Sequence, residues 1–427
     1  MSNLLIKNGR VIDPKTRFDR IADLLIDNNK IQKIERNIKI ETVKTIDASG
    51  MIVCPGFIDL HCHLRDPGRP DEETIESGAN AAVAGGFTTI CCMPNTEPPI
   101  DNEGIVNYII NQAKKVNLCR VFPIATITKK REGKEIAEFG EMIKAGVKGF
   151  SDDGNTVTNA RIMRYALEYS KIFQIPIFDH ALDEFLSKGG VMNEGEVSSR
   201  LGLAGSPAIA EEIIVARDLM LSRFTNAKIH LCHISTKGSV ELIRRAKKEG
   251  LDVTCETCPH YFFFNDSVIE TYNTNYKVNP PLRSEIDRRA IIEGLRDGTI
   301  DCISTDHAPH TQAEKELEFA SAPFGMTGLE TALSLTIMQL INIEKFSWFE
   351  ILDKLTIKPA QILKEKLGTI KEGAVADLVI INPDVKWRLT PEIIKSKSKN
   401  TPFLNKELTG RAEVVIVNGE IKYRTGA

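Results

Sequence analysis

The sequence predicts an α/β fold: a (β/α)8 barrel of the TIM type, carrying a small β-sandwich domain built from both chain ends. Three observations predict it. Eight short apolar runs of strand character alternate with amphipathic stretches of helical period between residues 56 and 309. A span of about 250 residues is what eight βα units need to close on themselves. The two ends instead carry β-branched runs around Asn-Gly pairs, the strongest short-range hairpin signal. An open doubly wound sheet is disfavoured, because no GxGxxG follows a strand.

Taken in order, residues 1–54 form the N-terminal part of the sandwich, with LLIKNGRVI (4–12) and ADLLIDNNKIQKI (22–34) as antiparallel strands. Residues 55–362 form the barrel. Its strand-like runs are GFIDLHCHL, TTICCMP, RVFPIATIT, GVKGFSDDG, IPIFDHA, KIHLCHIS, DVTCETCPHY and IDCISTDHAP. Helix-like stretches lie between them: IESGANAAVAG, NEGIVNYIINQAKK, KEIAEFGEMIKAG (134–146), ARIMRYALEYSK, AIAEEIIVARDLML and GSVELIRRAKKEG. Residues 363–427 return to the sandwich through ADLVIINP and EVVIVNGEIKY (413–423), with KSKSKN (395–400) reading as an exposed, solvated basic loop.

Composition excludes some classes. The 427 residues carry 55 Lys plus Arg against 58 Asp plus Glu, a net charge of −3, which argues against a nucleic-acid binder. The start has Lys7 after only three apolar residues, too few for a signal-peptide core, and no run is long enough to span a membrane. The expectation is a cytoplasmic protein with no membrane partner. Nine cysteines, an odd number and mostly inside apolar runs, read as reduced core residues rather than a disulfide framework. Cys255 and Cys258 form a CxxC within a strand-like run, with no second CxxC, and read as packing.

All eight histidines lie between residues 61 and 310. Polar and ionisable residues gather where barrel strands end: His61, His63, Asn95, Asp152, Asp153, His180, His233, Asp306 and His310. Such groups at the ends of buried strands are costly unless paired or metal-bound, and barrel chemistry sits at those ends. In His61-Cys62-His63 the two imidazoles project to one side of a strand and the cysteine to the other, a ready nest for a metal ion. Asp306 is suited both to ligate and to accept a proton. His230, out of phase with His233, and His307 read as structural; His260 reads as supporting at most.

DLHCHLRDP (59–67) and STDHAPHTQAEK (304–315) resemble the two signatures of the dihydroorotases, within the amidohydrolase superfamily. GGFTTICCMPNTEPP, GFSDDG, NPPLR (279–283), FGMTGLET (324–331) and NTPF (400–403) extend the likeness nearly end to end, and the pattern is most similar to the bacterial class I branch. The resemblance implies a site of one or two zinc ions. His61, His63 and Asp306 would hold the first, and Asp153 would bridge to a second on His180 and His233. Arg65, Asn95 and His310, with His63 beside them, would grip a substrate carboxylate, while Asn279 and the Phe324-Gly325 backbone would hold ring amides. Asp152 stands as an alternative to Asp153, and Lys148, in the same strand, as a minor alternative of the carboxylated-lysine kind.

The implied reaction is reversible cyclisation of N-carbamoyl-L-aspartate to L-dihydroorotate in pyrimidine (UMP) synthesis, with Asp306 as proton shuttle. Other cyclic amidases, hydantoinase or allantoinase, share the fold and the HxH pair. A silent scaffold for aspartate transcarbamoylase would be expected to lose ligands that this chain keeps. A homodimer and a complex with that transcarbamoylase are the partners the resemblance implies. The histidine-free flanks read as supporting sheet with no part in the chemistry.

Overall fold

The computed structural model describes residues 4–40 and 43–426. The outermost parts of the expected end segments, residues 1–3 and 427, lie outside the described residues. Strands from both ends join one mixed eight-stranded sheet: Leu4–Asp13, Phe18–Asp27, Lys30–Glu35, Lys44–Asp47, Ile52–Pro55, Leu378–Arg388, Glu407–Val417 and Glu420–Arg424. Ile52–Pro55 is the seam, parallel to Leu4–Asp13 on one side and antiparallel to Leu378–Arg388 on the other. Apolar side chains from the two ends share one core, including Ile6, Leu24, Ile26, Ile380 and Ile416, all fully buried.

The two Asn-Gly pairs part company here. Asn418-Gly419 turns the hairpin between Glu407–Val417 and Glu420–Arg424, as its signal predicts. Asn8-Gly9 makes no turn. It is a bulge inside Leu4–Asp13, where the register with Phe18–Asp27 shifts between Ile6 and Gly9. Asn8 takes a left-handed φ of 63°, and a Cβ on Gly9 would come within 2.5 Å of the Val53 side chain, so the pair kinks a strand against its neighbour instead of ending it.

The barrel strands follow in sequence: β1 (Phe57–Cys62), β2 (Phe87–Cys92), β3 (Arg120–Ala125), β4 (Gly149–Phe150), β5 (Ile177–Asp179), β6 (Ile229–Leu231), β7 (Val253–Thr257) and β8 (Cys302–Ile303). All adjacent pairs are parallel and in chain order. Closure from β8 to β1 is made just beyond the strands. Cys62 bridges His307, the His63 amide donates to the His307 carbonyl at 2.8 Å, and Thr305 donates through both its amide and its hydroxyl to the buried Asp59 carboxylate. Inside, Ile58, Leu60, Met93, Ile124, Phe178 and Cys302 form a fully buried cluster.

Helices cover the outside for ordinary reasons. In Glu103–Val116 the Asn102 side chain caps the first turn by accepting from the Gly104 and Ile105 amides. Val106, Ile109 and Ala113 then bury one face against the barrel. The helix expected over 134–146 covers only Phe139–Ala145. Its first turn is lost because Ile136 pairs with Thr128, and the Glu135 carbonyl accepts from the Lys129 amide, so that backbone is already committed across a loop. All nine cysteines are free and buried, Cys255 and Cys258 among them. Among the described residues, no helix is long and apolar enough to cross a membrane.

Candidate active site

At the C-terminal mouth of the barrel, His61, His63, Asp153, His180, His233 and Asp306 converge, all buried. Asp153 is the hub: its Oδ1 lies 3.3 Å from His61 Nε2, 3.4 Å from His180 Nδ1 and 3.5 Å from His233 Nε2, and its Oδ2 lies 3.6 Å from His63 Nε2. His63 Nε2 is 3.0 Å from Asp306 Oδ1, and His180 Nδ1 is 2.9 Å from His233 Nε2. Three backbones here are left-handed without being glycine: Arg65 (φ 57°), His233 (φ 34°) and Asp306 (φ 45°). Such conformations cost about 1–3 kcal/mol each and persist where the surroundings fix a functional geometry.

Electrostatics match the crowding. Burial alone would raise the Asp153 carboxyl, but His61, His180 and His233 reverse the sign and hold it well below the ordinary range. The same contest at Asp306, won by the His63 hydrogen bond and the neighbouring imidazoles, holds that carboxyl at about 2. Both are therefore ionised at neutral pH.

The residues present fit a metal ion. His61 Nε2, Asp153 Oδ1 and His233 Nδ1 are buried without hydrogen-bond partners, which is costly unless something else satisfies them. His61, His63 and Asp306 bring ligand atoms within 4.8 Å of one another, and so do His61, Asp153 and His233. The adjacent carboxylate, Asp152, is turned away: its Oδ1 accepts from the Ile127 and Thr128 amides at 2.9 and 3.0 Å, and its other oxygen takes the Thr128 hydroxyl. Lys148 is committed elsewhere, paired with Glu365 at 2.6 Å.

Above the nest lies a cavity of about 320 Å³, lined by Arg65, Asn95, Asn279, His310, Phe324 and Gly325, with every nest residue but His61 in its wall. Arg65 Nε donates to the Pro309 carbonyl and lies 3.2 Å from Glu72 Oε2; His310 Nδ1 is 2.8 Å from Glu72 Oε1. One buried carboxylate thus sets Arg65 and His310 side by side. Asn95 Oδ1 meets His63 Nδ1 at 2.8 Å, so its amide nitrogen is the end available to a ligand. Gly325 is required: at φ 136°, a Cβ would sit 2.8 Å from Ala308 Cβ and 2.9 Å from its carbonyl oxygen.

Several contributors were invisible to the reading by motif. Arg131 donates to the Asp153 carbonyl oxygen and orients the hub. Glu256 meets His61 from behind. Lys315 donates to the Pro323 and Gly325 carbonyls, and Lys277 to those of Phe319, Ala320 and Ala322. His260 lies buried beneath Asp306 with Nε2 unpartnered, burial lowering it to about 4. His307 is structural: its Nδ1 accepts from the Gly328 amide and its Nε2 lies 3.2 Å from Glu73.

The C-terminal flank reaches the rim of the site. Asn400 Oδ1 accepts from the His310 amide at 3.1 Å, while its Nδ2 donates to the Ala308 and Gly325 carbonyls. The segment 395–400 is not a wholly solvated loop. Its Ser396, Ser398 and Asn400 are buried, Ser398 donates to the Glu72 carbonyl at 2.6 Å, and the Lys397 amide donates to Glu73. Alternation explains the difference: Lys395, Lys397 and Lys399 give the segment its solvated look, while the three residues alternating with them, Ser396, Ser398 and Asn400, are buried.

Comparison with known proteins now bears on this geometry. Residues 50–239 match the family model described as Dihydro-orotase-like, and residues 288–423 the Amidohydrolase family. The chain is 47% identical over 423 residues to a dihydroorotase of Pelobacter propionicus, covering 99% of this chain and 100% of that one. It is also 47% identical over 421 residues to a dihydroorotase of Acetivibrio thermocellus, covering 99% of each. Among solved structures, an L-hydantoinase from Arthrobacter aurescens superposes with TM-score 0.89 at 25% identity, covering 100% of this chain and 97% of its own. A D-hydantoinase superposes with TM-score 0.84 at 24% identity, which speaks for the fold alone. The sequence likeness and the barrel architecture agree, and the chain belongs to the dihydroorotase family of cyclic amide hydrolases.

Proposed function

We propose that the protein is a zinc-dependent dihydroorotase, interconverting N-carbamoyl-L-aspartate and L-dihydroorotate, with Asp306 moving the proton. One observation carries this reading: Asp306 faces the HxH pair and Asp153 at the floor of a cavity whose rim holds Arg65 and His310 side by side. His61, His63, Asp153, His180, His233 and Asp306 would hold one or two zinc ions. Zinc bound there supplies Lewis acidity, activating water near neutral pH and polarising the scissile carbonyl.

The chain's own groups do the rest. Arg65, with its planar fork, pairs with the substrate carboxylate, and His310 and the Asn95 amide flank it. Asn279 and the Phe324-Gly325 backbone engage the ring amide. Asp306, ionised at neutral pH, takes the proton of the attacking water and delivers it to the departing ring nitrogen. In the synthetic direction it removes a proton from the carbamoyl nitrogen.

The hydantoinase alternative shares the fold. Two features count against it: the hub is a carboxylate, Asp153, and the strand's lysine, Lys148, is paired elsewhere. Homodimer formation and docking to aspartate transcarbamoylase rest on the family resemblance alone. The test is a purified-protein assay with dihydroorotate and with hydantoin, alongside zinc quantification. Turnover of dihydroorotate at one to two zinc ions per chain is expected. Turnover of hydantoin but not dihydroorotate would reverse the substrate assignment, and metal-free protein with all six residues intact would remove the metal nest.

A further inference from the structure

We infer that Glu256 is a positioning residue for the metal nest: its carboxylate, from the barrel interior, fixes the tautomer and aim of His61. The inference rests on the reading of His61 as a metal ligand. Glu256 is the penultimate residue of β7, with its side chain fully buried. A charged residue at such a place in an apolar strand run is not tolerated without partners, and its partners are specific. Oε1 lies 2.9 Å from His61 Nδ1, and Oε2 accepts from the Ser304 hydroxyl. His230 Nε2 lies 3.3 Å from the same Oε2, and His230 Nδ1 is in turn held at 2.9 Å from Thr254 Oγ1.

The direction of the hydrogen bond follows from the chemistry. An ionised carboxylate only accepts, so His61 Nδ1 must carry the proton and donate it to Glu256. That leaves His61 Nε2 for a metal, and it is this atom that lies unpartnered and 3.3 Å from Asp153. Histidine ligands with a carboxylate behind them are better donors and hold one orientation. The two members of the HxH pair therefore differ. His63 is backed by the neutral oxygen of Asn95 at the rim, His61 by a buried charge. His230, out of phase with the nest, belongs to the frame around that charge.

Two substitutions separate acceptor from charge. Glu256→Met removes both; Glu256→Gln keeps an oxygen acceptor without the charge. Zinc affinity would be read by chelator competition on the full chain, and the His61 Nδ1 proton by 1H–15N NMR of metal-free, 15N-histidine-labelled protein, with His61→Asn to assign the signal. Wild type should show one protonated, slowly exchanging His61 Nδ1. Glu256→Met should lose that signal to exchange and bind zinc about a hundredfold more weakly, and Glu256→Gln should recover to within about tenfold of wild type. If Glu256→Met does not fold, the tenfold loss in Glu256→Gln carries the test. An unchanged Nδ1 proton and affinity within twofold in the folded variants would overturn the inference. Wild-type protein that binds no zinc would instead remove the metal reading, while the Nδ1 signal would still report on the Glu256–His61 contact.

Discussion

The floor and the rim of the site are built by opposite means. On the floor, the six nest residues stand at or just beyond strand ends, and their partners are side chains delivered by neighbouring strands: Glu256 behind His61, and Asp153 among four imidazoles. Strand register, together with Arg131 on the Asp153 carbonyl, sets those distances. At the rim, Arg65, His310, Phe324 and Gly325 sit on loops, and what fixes them is loop backbone caught by distant residues. Asn400 reaches His310 and Gly325, Glu72 reaches Arg65 and His310, and Lys315 holds two carbonyls of the 323–325 turn. A closed barrel thus holds the nest rigidly, while the rim is tied to segments that can vary without disturbing it.

If that division is right, floor and rim substitutions should split the kinetic constants differently. Asp306→Asn, on the floor, keeps the shape and removes the proton acceptor, so turnover should fall at least about a hundredfold with little change in KM. Steady-state kinetics with zinc content measured in the same preparation checks it; near-normal turnover at full zinc content would deny Asp306 the shuttle role. Arg65→Ala, at the rim, removes a charge-assisted contact of about 1.5–3 kcal/mol. It should lower kcat/KM by roughly tenfold to a hundredfold, mainly through KM, and leave zinc affinity untouched. Loss of zinc in Arg65→Ala would mean that floor and rim are one unit.

What the sequence made legible follows the same line. The barrel, the HxH pair and the strand-end carboxylates are local patterns: period two places His61 and His63 together, and burial makes lone charges informative. The choice between Asp152 and Asp153 was not local, because both end the same strand. It depends on which carboxylate finds the Ile127 and Thr128 amides of the neighbouring loop. Asn8-Gly9 carried a hairpin signal, yet the close approach of Val53 makes it a bulge. Asn400 lies 90 residues from His310 along the chain, and nothing in KSKSKN says which carbonyls it will meet. Glu256 carries its signal in composition rather than motif: a carboxylate inside DVTCETC, whose meaning is the desolvation it would suffer unpaired.

Lys315 should move turnover least and sharpens the comparison most finely. Its ammonium has only carbonyl partners, Pro323 and Gly325, and burial, with help from Lys277, lowers it from 10.5 to about 7. The folded protein therefore holds that proton less tightly than the unfolded chain does. Below about pH 7 both states are protonated and the penalty of burying the charge is fully present. Between about 7 and 10.5 the unfolded chain binds more protons, so stability rises with pH, and above that range the penalty is gone. The two carbonyl acceptors favour the charged form and temper the gain to the order of 1–2 kcal/mol. Lys315→Met abolishes this titration. Urea unfolding of both proteins at pH 7 and pH 9.5 should show wild type gaining on the variant as pH rises, with a modest increase in KM for the variant. A constant gap between the two would mean that the carbonyls keep the ammonium charged throughout, and that the turn bearing Gly325 is pinned by a permanent cation rather than by a neutral amine.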